Sequence, residues 1–136
     1  MKSVIQEETT GCGIASAANI LGKSYAEMKA IANAMGVYAE DESLWSDTQY
    51  VRQLLASEGV TTTKTEMPFE SWEALPDVAL LSIKHHVEAG KNFWHWVVFK
   101  RVDGKPYVLD SAAYLPENVR QDFEAMQPKW FIGIEE

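Results

Sequence analysis

The 136-residue chain has one cysteine, Cys12. A single thiol rules out an internal disulfide framework and suits a reducing compartment, so a cytoplasmic location is expected. Long hydrophobic runs are missing too: no stretch is apolar for long enough to span a bilayer, which argues against membrane insertion. The opening Met1-Lys2-Ser3-Val4-Ile5-Gln6 lacks the apolar segment of a secretory signal, and none is expected. Basic charge is sparse, with 12 Lys and Arg against 20 Asp and Glu and a formal charge of −8. Nucleic acid and anionic membrane need clustered cations, so neither is an expected partner. His85 and His86 adjoin, but no further ligand stands at metal spacing, and no metal or cofactor is expected. Linkers, repeats and low-complexity tracts are also lacking. Residues 1–136 therefore read as one domain, with 46% hydrophobic content to build its core.

Against these absences stands the stretch from Gln6 to Leu21. Cys12 lies between Gly11 and Gly13, at the head of the small, apolar run Ile14-Ala15-Ser16-Ala17-Ala18-Asn19-Ile20-Leu21, which predicts a helix ended by Gly22. A thiol in the first turn of a helix meets unpaired backbone N–H groups and the positive end of the helix dipole. Both favour the thiolate, which is the nucleophile. The flanking glycines let a substrate carbonyl come close. Gln6 carries an amide able to join the Cys12 N–H in holding an oxyanion. The same stretch also reads as a small buried hydrophobe in a tight turn, because a lone cysteine needs a partner histidine to become catalytic.

Further along, Ser24 and Glu27 form a capping-box pattern ahead of Tyr25, Met28, Ile31, Ala32 and Met35, a helix that Gly36 ends. Val37 to Ser46 is polar and acidic and reads as a surface loop with Tyr38, Leu44 and Trp45 as anchors. Asp47 is the expected N-cap of a third helix with Tyr50, Val51, Leu54 and Leu55 on its apolar face, closed by Glu58-Gly59. Val60 to Thr65 is β-branched and predicts an exposed strand. Pro68 to Leu75 predicts one or two helical turns. The apolar run Val78 to Ile83 predicts a buried strand, Glu88 to Asn92 a loop, and Trp94 to Arg101 a second strand. Asp103-Gly104 is a hairpin turn leading back through Pro106 to Leu109. Pro116 to Met126 predicts a helix with proline at its first position, and Trp130 to Ile134 a last strand. Helices first and an antiparallel meander after them predict an α+β fold, with helices packed on one side of a sheet.

Of the three histidines, His95 suits a general base, since it starts a strong strand just after a loop. The Asp103-Gly104 turn folds the next strand back, so Asp110 arrives near His95, where a carboxylate can fix the tautomer and stabilise the imidazolium. Each residue also has a plain reading: His95 as a half-buried strand residue between two tryptophans, Asp110 as a cap on the turn into Ser111.

Gln6, Cys12-Gly13 with its alanine-rich helix, His95-Trp96-Val97-Val98-Phe99 and Val108-Leu109-Asp110 together resemble the motifs of the papain-like cysteine peptidases. In particular they resemble the bacterial double-glycine leader peptidases of bacteriocin exporters. The resemblance follows element order from about Gln6 to Asp110, and its specific part is these short motifs. It implies a papain-like fold with Cys12 as nucleophile, His95 as base, Asp110 as orienter and Gln6 as oxyanion-hole donor. Where the family usually has proline after the aspartate this chain has Ser111, expected to alter only the turn. Family members are commonly the N-terminal domain of a membrane transporter. This chain has no transporter segments, so a stand-alone peptidase and a domain cut from something larger are both open.

The leading functional expectation is a cysteine peptidase working through a thioester, with leader processing after small residues as its specific form. The alternatives are a Cys-His-Asp acyl-transfer enzyme, deamidase or transglutaminase-like, and a non-catalytic peptide-binding module of the same fold. The expected partner is a peptide or protein substrate, bound by a monomer as the default state. Five tryptophans suit both a core and a peptide groove.

Overall fold

In the computed structural model, which describes residues 3–7, 11–41 and 47–135, the helices precede the sheet, as the sequence pattern requires. Helix α1 is Cys12–Leu21, α2 is Tyr25–Ala34 and α3 is Gln49–Ser57. Gly22 closes α1 in the left-handed conformation at φ 70°. The Ser24–Glu27 capping box forms at the start of α2, with bonds of 3.1 and 3.0 Å. Asp47 serves α3 by accepting from the Gln49 amide at 2.8 Å, although Thr48 takes the N-cap position itself.

The strands are β1 (Thr61–Thr62), β2 (Met67–Pro68), β3 (Val78–Glu88), β4 (Lys91–Val102), β5 (Lys105–Leu109), β6 (Val119–Arg120) and β7 (Trp130–Glu135), with a single turn of helix, α4 (Phe123–Met126), before the last. They form one antiparallel sheet in the order β1-β7-β3-β4-β5-β6, and β2 also pairs with β7. Alternation along the strands divides the core in two. Leu80, Trp96, Val98, Leu109 and Ile132 face the helices. Ala15, Ala17 and Ala18 of α1 are all buried in that same cluster, and such small side chains let the helix axis come close to the sheet. Ala79, Leu81, Ile83, Val97, Phe99 and Val108 face the other way, packed with Leu75 and Met126 and bordered by Phe69, Trp72 and Phe123. Lys100 reaches across from β4 to donate to the Asn19 carbonyl near the end of α1, at 3.1 Å.

Several local expectations are corrected. The strand expected over Val60–Thr65 shrinks to Thr61–Thr62, because only these residues lie against β7 in ladder register. Over Pro68–Leu75 no helix forms: Pro68 ends β2, and a turn follows over residues 72–75. Arg101 holds it open by donating to the Trp72 and Leu75 carbonyls at 3.2 and 3.1 Å and to Asp77 at 2.8 Å. The Glu88–Asn92 loop is a tight turn at Ala89-Gly90, both at positive φ, between strands that extend to either side of it. Pro116–Met126 is not one helix: β6 pairs with β5 instead, and only its last turn is helical. Here tertiary pairing outweighs local helix preference. Val37 and Ala39 are buried and Tyr38 is exposed, while Leu44 and Trp45 lie outside the described residues. No described helix is long and apolar enough to cross a membrane.

Candidate active site

Cys12 opens α1, where its own N–H has no intrahelical partner. Its Sγ receives the backbone N–H of Trp96 from β4 at 3.5 Å. Strand β4 thereby fixes the sulfur one residue away from His95. The His95 ring neighbours Cys12 closely enough for the thiol to raise its pKa, and its Nε2 lies 2.7 Å from Asp110 Oδ1. With Nε2 committed to the carboxylate, Nδ1 is the nitrogen left for the thiol. Asp110 is fully buried at the end of β5, and its Oδ1 also accepts the Ala112 amide at 3.1 Å.

Burial would push the His95 imidazole down. The hydrogen bonds to Asp110 and Cys12 and the charges on both outweigh it and raise the pKa to about 9. At neutral pH the ring is therefore an imidazolium, the counter-ion that a cysteine thiolate requires. Burial would likewise raise the Asp110 carboxyl, but the His95 hydrogen bond and charge, the Ala112 amide and Arg120 hold it below the usual carboxylate range. Tyr50 from α3 lies against Gly13. Its phenol is pushed above its ordinary range by burial first and by Cys12 next, and its oxygen is hydrogen-bonded by the Trp96 side chain. A Cβ on Gly13 would fall 2.7 Å from two Tyr50 ring carbons, so the residue after Cys12 has to be glycine for this packing.

Gln6 is buried and lines an open cleft of about 560 Å³ together with Trp94, His95 and Ala112. Its backbone N–H donates to the Ser111 carbonyl at 2.9 Å. The Ser111 hydroxyl donates to Gln6 Oε1 at 2.7 Å, which sets the amide plane and leaves Nε2 as the donor end. Ser111, expected to alter only the turn, is thus a direct partner of Gln6. Val4 is tied to α1 by its amide's bond to Asn19 Oδ1 at 2.7 Å, so the segment carrying Gln6 is anchored on both sides. Trp94 walls the cleft, but Trp96 is buried, packed edge-on against Trp94 and Trp130. Beside the site β3 carries a bulge between Ile83 and His86, with Lys84 at φ 55°. His85 and His86 lie on this strand rather than at a loop start: His85 bonds Asn92 at 2.9 Å and His86 stacks on Phe93. Among the described residues no cluster of His, Cys, Asp and Glu could hold a metal.

The structure therefore brings Cys12, His95 and Asp110 into one chain of contacts and puts Gln6 on the cleft that His95 lines. The sequence reading missed Arg120, whose Nη1 donates to Asp110 Oδ2 at 2.8 Å, because Arg120 falls in the segment expected to be helical. No short motif marks it.

Compared with solved structures, the chain is similar to the double glycine motif protease from an AMS/PCAT transporter, solved in complex with the leader peptide. The TM-score is 0.63 at 17% identity, over 97% of this chain and 89% of that one. The fold is papain-like. No protein-family model matches the chain, and no curated protein does. In this papain-like fold the α1 N-terminus meets β4 beside the end of β5, which is where Cys12, His95 and Asp110 stand.

Proposed function

We propose that the protein is a cysteine peptidase that cleaves a peptide bond through a thioester on Cys12, processing a leader peptide after small residues. One observation carries the reading: a thiol at a helix N-terminus, an imidazole and a buried carboxylate stand in relay order, with His95 held by Asp110 at 2.7 Å and the Cys12 sulfur held by the neighbouring Trp96 N–H at 3.5 Å. The Cys12 thiolate attacks the scissile carbonyl carbon, and the carbonyl π pair moves to oxygen. That oxyanion is held by the Cys12 N–H and the Gln6 Nε2 amide. As the intermediate collapses, the C–N bond breaks and the leaving amine takes its proton from His95. The neutral imidazole then removes a proton from water, the hydroxide attacks the thioester, and the released thiolate restores the ion pair. The peptide substrate class is supported by the likeness to a protease solved with its leader peptide. Trp94 supports the size preference, since a large wall beside His95 favours small residues at the cut.

The test is a peptide carrying Gly-Gly ahead of the cleaved bond, with products weighed by mass spectrometry. Wild type should split it, and Cys12→Ala and His95→Ala should not, while both retain native circular dichroism. Cleavage by Cys12→Ala at the wild-type rate would refute the reading. An intact chain with a deamidated or amine-linked glutamine would replace peptidase by acyl transfer to a side chain. Binding without turnover, unchanged by thiol alkylation, would leave a peptide-binding module.

A further inference from the structure

Asp110 has two carboxylate oxygens, and the relay uses only one. Oδ1 takes His95 Nε2 at 2.7 Å and the Ala112 amide at 3.1 Å. Oδ2 accepts from Arg120 Nη1 at 2.8 Å. The Asp110 side chain is 0% exposed, so water is no substitute for that second partner. Arg120 is itself clamped by Asp122, whose two oxygens take Nε at 2.9 Å and Nη2 at 2.6 Å. The backbone is built to deliver this contact. β6 pairs with β5 so that Arg120 stands opposite Val108. The Asp110 amide donates to the Asn118 carbonyl at 2.8 Å, and Asn118 Nδ2 returns bonds of 2.8 Å to the Asp110 and Ala112 carbonyls.

We propose that Arg120 is a positioning residue: it fixes the rotation of the Asp110 carboxylate so that Oδ1 stays on His95 Nε2 and His95 stays turned to Cys12. The terminal torsion of an aspartate is broad, so a carboxylate held at one oxygen can swing. A second, charge-assisted bond at the other oxygen removes that freedom. The planar guanidinium fork lets Arg120 grip Asp122 with Nε and Nη2 while Nη1 reaches Asp110, which the single ammonium of a lysine cannot do. The chain of contacts then runs from Asp122 at the surface through Arg120, Asp110 and His95 to Cys12. The charged and titratable groups that face His95 and Asp110 among the described residues are Cys12 from α1, Arg120 from β6 with Asp122 beyond it, and Glu7, Lys84, His86 and Tyr114 around the open cleft. The catalytic consequence rests on the peptidase reading, whereas the geometric claim does not.

The experiment is an NMR titration of isotope-labelled histidine in the full chain, with the His95 signal assigned by its loss in His95→Ala. Arg120→Gln should lower the His95 midpoint by about one pH unit or more, as the Asp110 bond loosens. If the chain cuts peptide, the same variant should lose about 10- to 100-fold in kcat with KM held within about twofold. Arg120→Lys should fall between Arg120→Gln and wild type. A lowered melting temperature with an unmoved midpoint would mean a purely structural role and overturn the proposal. A raised midpoint would mean that Arg120 only damps the Asp110 charge, and would overturn it too. Should Arg120→Gln fail to fold, Asp122→Asn decides from its half-exposed site. A smaller fall in the midpoint supports the proposal, and no change overturns it. The titration needs no substrate, so failure of wild type to cleave would count against the peptidase reading alone.

Discussion

Replacing Asp110 by asparagine keeps the shape of the site and removes its charge. The buried amide then faces a conflict. If its oxygen stays on His95 Nε2, its NH₂ points at Arg120 Nη1, a donor against a donor where the carboxylate now accepts at 2.8 Å. If it flips to satisfy Arg120, the NH₂ faces His95 Nε2 and imposes the tautomer with the proton on Nδ1, so no base is turned to Cys12. Either way the imidazolium loses its counter-charge. The His95 midpoint should fall from about 9 by about 1–3 pH units, the range for loss of an opposite charge in contact. If the chain cuts peptide, turnover should drop by about 10⁴-fold where the wrong tautomer forms, the size of effect seen in serine triads. Stability carries the same signature. His95 has a folded pKa above its unfolded value of 6.5, so its contribution is fully present below pH 6.5 and is lost as pH rises through about 9. At 1.36 kcal/mol per unit, that raised pKa corresponds to at most about 3 kcal/mol. Urea unfolding of wild type at pH 6 and at pH 9–10 should show this decline, and Asp110→Asn should flatten it. A wild-type His95 titrating near 6.5, or a midpoint indifferent to Asp110→Asn, would refute the reasoning.

Gly13→Ala should destabilise the fold by about 1–3 kcal/mol in urea unfolding, because the Tyr50 ring has to move off α1. Alkylation of Cys12 by iodoacetamide should change in rate in the same variant, since Tyr50 packs beside Cys12. Ser111→Ala removes the 2.7 Å bond that orients the Gln6 amide, and should lower kcat several-fold with KM little changed, at a stability loss of about 1 kcal/mol. An equal fall in kcat from Ser111→Ala in a Gln6→Ala background would show that the hydroxyl acts elsewhere. Arg101→Ala releases the Trp72 and Leu75 carbonyls and Asp77, and should cost about 2 kcal/mol in thermal or urea unfolding while leaving the His95 midpoint in place.

Much of this was legible in the residues. The small-residue run after Cys12, the Ser24–Glu27 box and the Asp103-Gly104 turn are local signals, complete within a few residues, and each forms as written. The placement of Asp110 near His95 was legible because a two-residue hairpin turn fixes which residues come back side by side. Arg101 and Arg120 were not legible. Their roles depend on carbonyls and a carboxylate from segments distant in sequence, and nothing in the neighbouring residues marks them. The turns over 68–75 and the pairing of β6 went unseen for the same reason: propensity scores a segment alone, while the sheet edge and Arg101 act on it from outside.

The sequence by itself determined the three leading helices, the central strands that follow them, the position of Cys12 in a first helical turn, and the hairpin that returns Asp110 to His95. These follow from periodicity, capping and turn chemistry, all of short range. Only the tertiary structure decided that β4 would present the Trp96 amide and the His95 ring to the sulfur, that Ser111 would set the Gln6 amide, and that Arg120 would occupy the second oxygen of a buried carboxylate. A buried polar group requires a partner wherever the packed chain supplies one, and which residue supplies it is fixed only when the strands are in register.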